Sequence, residues 1–179
     1  PLNLPAELPI ARYRLNFTLT HDLQLPPYAA STLRGVFGHA LLAAACTCDT
    51  AKTPHLPDCP YAQIFEPAPC ADLPGSIRQS PPPPYLVETP LVAPTHFPAG
   101  AGYAFDLVLF GRARHSLPLI AAVFAQAFAK GLGANNAGKG KLNGIAVQQA
   151  DGSFLTISER GSPIVLHDNH IRLPERYPP

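Results

Sequence analysis

The sequence predicts an α+β protein with a ferredoxin-like (RRM-like) fold, in which two helices cover one face of an antiparallel sheet. Two observations lead to this prediction. Segments with the period of strands or of helices follow one another in the order strand, helix, strand, strand, helix, strand, with an extra hairpin. In addition, 46% of the 179 residues are hydrophobic and 14% are charged, which fits one compact domain with a substantial core.

The first strand is the clearest element. Residues 10–21 alternate between apolar and polar side chains, a pattern that is typical of a half-buried strand. Two prolines at 26–27 follow it, and Ser31 or Thr32 is expected to cap the helix that comes next, at 33–46. The chain should therefore turn between the prolines and the cap.

The helix at 33–46 has a one-sided apolar pattern. Its large apolar residues recur at helical spacing and form the predicted buried stripe, whereas Gly35, Gly38 and His39 fall away from it. Each glycine on an exposed helix face costs about 1 kcal/mol relative to alanine. Close approach by a ligand and close helix packing explain the two glycines equally well.

The rest of the chain contains weaker elements and one strong helix. In chain order we expect an irregular insert at 47–80, an edge strand at 84–92, a buried strand at 103–110, a helix at 117–130, and strands at 142–149, 153–158 and 163–167. Asp151-Gly152 is a hairpin turn signal between two of these strands. We expect one module at 8–150, followed at 151–179 by a hairpin and tail or by the start of a second module.

A glycine-rich loop at 131–142, GLGANNAGKGKL, interrupts this apolar sequence with four glycines, two asparagines and two lysines. The spacing from Gly133 to Lys139 is that of a nucleotide P-loop, but Gly140 stands where Ser or Thr should hold the metal ion. The order of elements is also reversed, since this loop follows a helix and precedes a strand. It is predicted to be a basic loop rich in backbone donors.

The charge is distributed unevenly, although the net charge is only +1. Residues 107–150 contain five Lys or Arg and no acidic residue, whereas 46–74 contain four acidic residues and one lysine. The basic half is a candidate surface for a polyanion, and a chance excess on solvated surface is the alternative. No apolar run is long enough to cross a membrane. The chain starts at Pro1, so we expect a trimmed, processed or incomplete start, and a cytoplasmic location.

Several motifs together resemble the CRISPR-associated RAMP superfamily. They are LRGVFGHAL at 33–41, CPYAQIFE at 59–66, the stretches 82–87 and 107–111, and the glycine loop from 131–133 to 140–142. More narrowly, they resemble the precursor-crRNA-processing endoribonuclease family and its uncharacterised relatives. The resemblance covers about three quarters of the chain, from about residue 8 to residue 142, and rests on the order of the motifs.

The resemblance implies a protein that binds CRISPR repeat RNA, with the glycine loop touching the phosphate backbone. Members of the family usually contain two ferredoxin-like modules, and many cleave RNA without metal by attack of a 2′-hydroxyl. This chain resembles the first module only. Asn135 and Asn136 stand where relatives are richer in arginine, so the loop is expected to hold RNA more weakly or together with a second module.

Candidate catalytic residues are His39 and Tyr28. A histidine titrates near neutrality and can take a proton from a 2′-hydroxyl or give one to the leaving oxygen. Tyr28 could orient a phosphate, and His21 could replace His39. A structural hydrogen bond for the histidines and packing in a turn for the tyrosine are the alternatives.

Candidate RNA contacts come from one helix residue and from the glycine loop. Arg34, Lys139 and Lys141 are expected to contact phosphates, supported by backbone N–H groups of the loop. The loop glycines assigned to RNA binding are Gly131, Gly133, Gly138 and Gly140. Arg12 and Arg14 could extend the basic track, and a purely solvated loop is the alternative.

Four cysteines in the acidic insert are a candidate metal site. Cys46, Cys48, Cys59 and Cys70 could bind a structural zinc ion as four thiolates, with His55 lying between them. Their spacing lacks paired C-x2-C knuckles, so two disulfides or free thiols remain alternatives. An intracellular setting disfavours disulfides.

Three functions are compatible with these features. The first is a metal-independent CRISPR endoribonuclease or its N-terminal module. The second is a non-catalytic RNA-binding scaffold in a complex with other CRISPR effector subunits, and the third is a protein-interaction module. The sequence contains no G-x-S-x-G or H-E-x-x-H motif and no paired carboxylates at plausible spacing, so other hydrolases are poorly supported.

Overall fold

The computed structural model describes residues 7–48, 55–68, 80–165, 167 and 171–172. Within these residues the helices are α1 (Ala29–Ala45), α2 (Pro60–Ile64) and α3 (Leu117–Lys130). The strands are β1 (Glu7–Leu8), β2 (Ile10–Leu19), β3 (Leu23–Gln24), β4 (Tyr85–Glu88), β5 (His96–Phe97), β6 (Gly102–Phe110), β7 (Gly140–Gln148), β8 (Phe154–Glu159) and β9 (Ile171–Arg172).

The main sheet confirms the predicted ferredoxin-like order. It has five strands in the order β4-β6-β2-β7-β8, and every neighbouring pair is antiparallel. The four core strands in chain order are β2, β4, β6 and β7. In the sheet, β2 lies between β6 and β7, and β4 lies on the outer side of β6. This is the arrangement of a β-α-β-β-α-β module, with β8 added at the edge as a hairpin.

The two long helices lie on one face of this sheet, as expected. Alternate residues of β2, from Ala11 to Leu19, are buried on that face, whereas Arg12 and Arg14 lie on the other. The helices meet each other and the sheet through stacked rings: Phe37 of α1 lies 4.9 Å from Phe124 of α3. Burying each such ring contributes about 2 kcal/mol, so the aromatic layer is a main source of stability.

Helix α1 begins four residues earlier than predicted. Its N-cap residue is Tyr28, and no side chain caps it, so the cap expected at Ser31 or Thr32 is wrong. The Ser31 hydroxyl instead donates to the Tyr28 carbonyl oxygen over 3.1 Å. A serine inside the first turn can therefore support the helix start without being the residue that defines it.

The other differences lie in the weaker elements. The edge strand β4 ends at Glu88, well before the expected end at residue 92. The insert contains the short helix α2. Residues 163–165 and 167 are not in a strand, although the Val165 N–H donates to the Ile157 carbonyl. Among the helices described, none has both the length and the apolar character that crossing a bilayer requires.

Candidate functional site

The glycine loop is a closed structure that starts where α3 ends. Leu132 is buried, and it exchanges two backbone hydrogen bonds with Gly138 of 2.8 and 3.0 Å. This bridge encloses a short 3-10 turn at Ala134–Asn136, in which the side chains are exposed. The loop therefore presents Asn135 and Asn136 on a fixed base.

Gly133 and Gly138 of the loop pack against β3. A Cβ atom at Gly133 would overlap the carbonyl oxygen of Gln24, and one at Gly138 would overlap the side chain of Leu23. The N–H of Gly138 donates to Leu132 inside the loop. Internal packing on β3 thus accounts for these two glycines, and their contact with RNA stays a prediction.

Packing inside the protein also explains the two remaining glycines of the predicted RNA-binding set. Gly131 ends α3, and a Cβ atom there would overlap the carbonyl oxygen of Asn136. A Cβ atom at Gly140 would lie 3.1 Å from the Thr18 carbonyl oxygen, because β7 begins beside β2 at this point. The glycines keep the loop against the sheet edge.

The loop lysines are its available charges. Lys139 is half-buried and its carbonyl accepts the N–H groups of Thr20 and His21, while Lys141 is exposed and pairs in register with Thr18. Across the described ranges, no ion pair involves either lysine. Both ammonium groups are therefore free to meet an external anion.

The arginines on the open face of the sheet differ from these lysines. Arg14 makes two hydrogen bonds to Asp106, of 2.8 and 3.0 Å, and Arg12 forms an ion pair of 3.1 Å with Glu88. The hydrogen bonds to Asp106 raise the pKa of Arg14, and burial opposes this increase. Both arginines are paired with carboxylates of the sheet although they stay partly exposed, so a basic track across this face is not favoured.

His39 and Tyr28 do not share one site. His39 is exposed on α1, and its Nδ1 lies 2.8 Å from the Gly35 carbonyl oxygen. Tyr28 is exposed at the N-cap, eleven residues earlier, which corresponds to about 16 Å along the helix axis. The third candidate, His21, is exposed and interacts with the hydroxyl of Thr20. The structure thus does not bring His39 and Tyr28 together, and the catalytic roles stay predictions.

The two glycines of α1 have different surroundings. Gly35 has open space beside it, as expected for an exposed position. Gly38 is buried, contrary to the prediction, because the ring of Phe65 occupies the space that a Cβ atom would need. Close packing with the α2 segment, which consists of α2 and Phe65 directly after it, is therefore the reason for Gly38.

Arg34 lies above the same aromatic ring. Its guanidinium carbon is 5.5 Å from the centre of the Phe65 ring, a distance suited to a cation–π interaction. Burial raises the pKa of Tyr85 beneath it, and the charge of Arg34 opposes this effect. Arg34 remains exposed, so this contact fixes the direction of the side chain without removing it from solvent.

A compact group of metal-binding side chains lies beyond the C-terminal end of α1. It consists of Cys46, Cys48, His55 and Cys59, whose ligand atoms all lie within 4.8 Å of one another. The three cysteines are not in disulfides. This Cys3His group has the composition of a structural zinc site, and it can bind a metal ion.

The surroundings of these thiols stabilise the charged form unequally. Burial acts to raise the pKa of Cys59, but the N–H groups of Ala62 and Tyr61 and the neighbouring thiols lower it overall. The N–H of Leu56 acts to lower the pKa of Cys48, but burial and the two nearby thiols raise it overall. Three thiols this close cannot all ionise easily without a cation between them.

The predicted ligand set and the observed group differ by one residue. Cys70 lies outside the described residues, and His55, which was not among the four predicted ligands, stands with the other three cysteines. One sequence feature could have identified it, because His55 precedes Cys59 with three residues between them, a common spacing for zinc ligands.

Comparison with known proteins identifies a family and a solved structure of similar fold. The AF_1859_N family, described as an N-terminal domain, matches residues 8–171. A crystal structure of the Csm3-Csm4 subcomplex in the type III-A CRISPR-Cas interference complex is similar, with a TM-score of 0.47, 16% identity and 80% of each chain covered. No curated protein matches the sequence significantly.

Proposed function

The chain belongs to the AF_1859_N family, and we propose that it is an RNA-binding module of the CRISPR-associated RAMP type. The order of its motifs and the ferredoxin-like sheet order support the RAMP assignment. The family description as an N-terminal domain supports a second module after this one. Such a protein would act on CRISPR repeat RNA in the cytoplasm, alone or with other CRISPR effector subunits.

The glycine loop carries this proposal, because Lys139 and Lys141 have no acidic partner in the described part of the chain. Two free ammonium groups beside a loop closed by the Leu132–Gly138 bridge can hold neighbouring phosphates of a single strand as point charges. The exposed amides of Asn135 and Asn136 can donate to the same backbone. Phosphate contacts of this kind position RNA without reading its sequence.

Binding of CRISPR repeat RNA by the full-length protein tests the proposal. Changing Lys139→Glu together with Lys141→Glu should abolish binding, because two attractive charges become repulsive. Arg112→Glu is a suitable control, since it reverses an exposed cation near Phe110, at the opposite end of the sheet. Unchanged affinity in the double variant would disprove the role of the loop. No binding even at low salt would favour a protein-interaction module instead.

RNA cleavage is a second candidate function, and the position of His39 favours it. A carbonyl oxygen only accepts hydrogen bonds, so the contact with Gly35 requires the proton on Nδ1. In the neutral ring, Nε2 is then a free acceptor that faces outward from α1. Gly35 leaves open space beside it for an RNA strand.

Cleavage at this position would proceed without a catalytic metal ion. His39 Nε2 would take the proton of a 2′-hydroxyl while that oxygen attacks the adjacent phosphorus. The bond to the 5′-oxygen then breaks, leaving a 2′,3′-cyclic phosphate and, after this oxygen gains a proton, a 5′-hydroxyl. Tyr28, about 16 Å away along α1, would contact a different nucleotide. Arg34 would bind a phosphate between them.

The cleavage assay uses repeat RNA in buffer without added divalent cations. His39→Ala should lower the cleavage rate about 100-fold or more, as expected for loss of a general base, with unchanged RNA affinity. His39→Gln keeps a polar side chain and serves as the control for shape. Wild-type activity in both variants would remove His39 from the mechanism. Binding without cleavage by the wild-type protein would support the scaffold function.

The only metal in this proposal has a structural role. The Cys3His group follows the C-terminal end of α1. The glycine loop instead packs on β3, which precedes the N-terminal end of α1. A metal ion there would stabilise the insert, and its four protein ligands would leave no open position for the reaction at His39.

A further inference from the structure

We propose that Cys46, Cys48, His55 and Cys59 bind one zinc ion, which attaches α2 to the end of α1 and thereby positions Arg34. The inference does not depend on the RNA-binding proposal, because it concerns the composition and stability of the protein. It also replaces the ligand set expected from the sequence, since His55 takes the place of Cys70.

The distances within the group fit tetrahedral zinc. With Zn–S and Zn–N bonds of about 2.3 and 2.0 Å, the ligand atoms around the ion lie about 3.5 to 3.8 Å apart. The Sγ of Cys46 lies 3.4 Å from Nδ1 of His55, and all four ligand atoms lie within 4.8 Å of one another. Small side-chain rotations would complete the coordination.

The chemistry of the four ligands selects zinc and a structural role. Thiolates and imidazole are soft or intermediate ligands, which disfavour magnesium and calcium. Four protein ligands leave no open position for a substrate or water, as in structural zinc sites. The Leu56 N–H lies 3.4 Å from the Cys48 sulfur and is the kind of neighbouring donor that stabilises a bound thiolate.

The need for such an ion comes from the small size of α2. A helix of five residues is not stable alone, because helix nucleation is costly. Cys59 is its N-cap residue, and Cys46 follows α1 directly. A bound ion would therefore join the two helices at adjacent ends.

Two aromatic contacts link this joint to Arg34. The ring of Tyr61 lies 5.0 Å from the ring of His55. Phe65 follows α2, covers Gly38, and lies under the guanidinium of Arg34. Release of the ion should free the α2 segment and, with it, the surface on which Arg34 rests.

Metal analysis of the full-length protein, purified under reducing conditions, tests the proposal. Mass spectrometry of the elements should find one zinc ion per chain in the wild type and in Cys70→Ser. The variants His55→Ala and Cys59→Ser should lose at least tenfold in zinc affinity, and His55→Cys should restore it. Cys70→Ser is the matched control, because it removes a thiol of the same insert.

Cysteine alkylation of the wild-type protein gives an independent measurement that does not depend on the folding of a variant. A zinc chelator should expose Cys46, Cys48 and Cys59 to alkylation and leave the rate at Cys70 unchanged. Cobalt substitution should produce the visible spectrum of three sulfur ligands and one nitrogen.

Three results would overturn the proposal. They are a wild-type protein without zinc, loss of zinc in Cys70→Ser with retention in His55→Ala, and a cobalt spectrum of four sulfur ligands. A chelator that leaves the rate of chymotryptic cleavage at Tyr61 and Phe65 unchanged would refute the role of the ion in joining the helices, but not zinc binding itself.

Discussion

The glycine loop and the Cys3His group lie beyond opposite ends of α1, a helix about 25 Å long. The sequence indicates both by residue type, but they are built differently. In the Cys3His group, four side chains from a stretch of 14 residues, 46–59, converge, and these side chains themselves form the site. In the loop, glycines pack against neighbouring backbone, and two lysines remain for a ligand. A glycine-rich motif therefore reports internal packing as well as binding.

The largest expected effect is the stability loss in Gly133→Ala, which tests whether the loop glycines serve internal packing. Gly133 has φ 77° and ψ −155°, a backbone conformation that is essentially restricted to glycine, and it packs on the Gln24 carbonyl. Gly133→Ala should lower the free energy of unfolding by about 4 kcal/mol, from strain and overlap together. Urea denaturation measures this loss.

Gly35→Ala is the matched control for that substitution. Gly35 lies inside α1 with open space around it, so alanine should raise the free energy of unfolding by about 1 kcal/mol. Equal effects of the two variants would contradict the packing role of Gly133. Zinc content should be the same in both, because the Cys3His group is at the far end of α1.

The second effect concerns Tyr103, a buried tyrosine of β6. Burial raises the pKa of Tyr103 to about 12, from an ordinary value near 10. Below about pH 10 both the folded and unfolded states keep this proton. As the pH rises from about 10 to about 12, only the unfolded state loses it, so stability falls by about 2.7 kcal/mol in total.

Tyr103→Phe should remove the part of the stability loss at alkaline pH that comes from Tyr103. Urea denaturation at increasing pH measures this difference. Tyr61, beside the Cys3His group, has a pKa raised to about 12 by burial and by Glu66, so it provides a second alkaline contribution that the variant retains. If Tyr103→Phe loses stability between pH 10 and 12 as steeply as the wild type, the pKa of Tyr103 is not raised in the folded state.

The smallest effect compares free and paired cations in RNA binding. Each single-strand phosphate contact contributes about 0.7 to the salt slope of log affinity. Lys139→Gln with Lys141→Gln should therefore reduce the slope by about 1.4 and weaken binding roughly 25-fold at about 0.1 M salt. Fluorescence anisotropy across a salt series measures both values.

Arg12→Gln with Arg14→Gln removes the same charge from the open sheet face. Because both arginines are paired with carboxylates, affinity for RNA should change much less than in the lysine variant. If RNA affinity falls more in the arginine double variant than in the lysine double variant, the RNA binds on the open face of the sheet and not at the glycine loop.

Much of the fold follows from local sequence patterns. Helix α3 has the predicted bounds, Leu117–Lys130, because a proline near its start and a glycine after its end mark both termini. The hairpin between β7 and β8 forms at Asp151-Gly152, where the Asp151 carboxylate accepts the N–H of Ser153 over 2.9 Å. The start of α1 was missed because no side chain caps it.

The candidate sites could be predicted only as sets of residue types. Cys46, Cys48 and Cys59 were expected ligands, and the spacing of His55 and Cys59 is compatible with a metal site, but this spacing alone does not show that His55 lies beside all three cysteines. The burial of Gly38 depends on Phe65, which lies 27 residues later in the chain. Such contacts are set by the path of the backbone between the two residues.

The sequence by itself determined the order of strands and helices, and with it the ferredoxin-like sheet, because periodicity acts between residues a few positions apart. Only the tertiary structure decided which charges and ligands are available. Arg14 meets Asp106 across the sheet, whereas Lys141 meets no carboxylate in the described residues. The physical reason is that pairing and metal binding require atoms within a few ångströms, and chain folding alone brings distant residues that close.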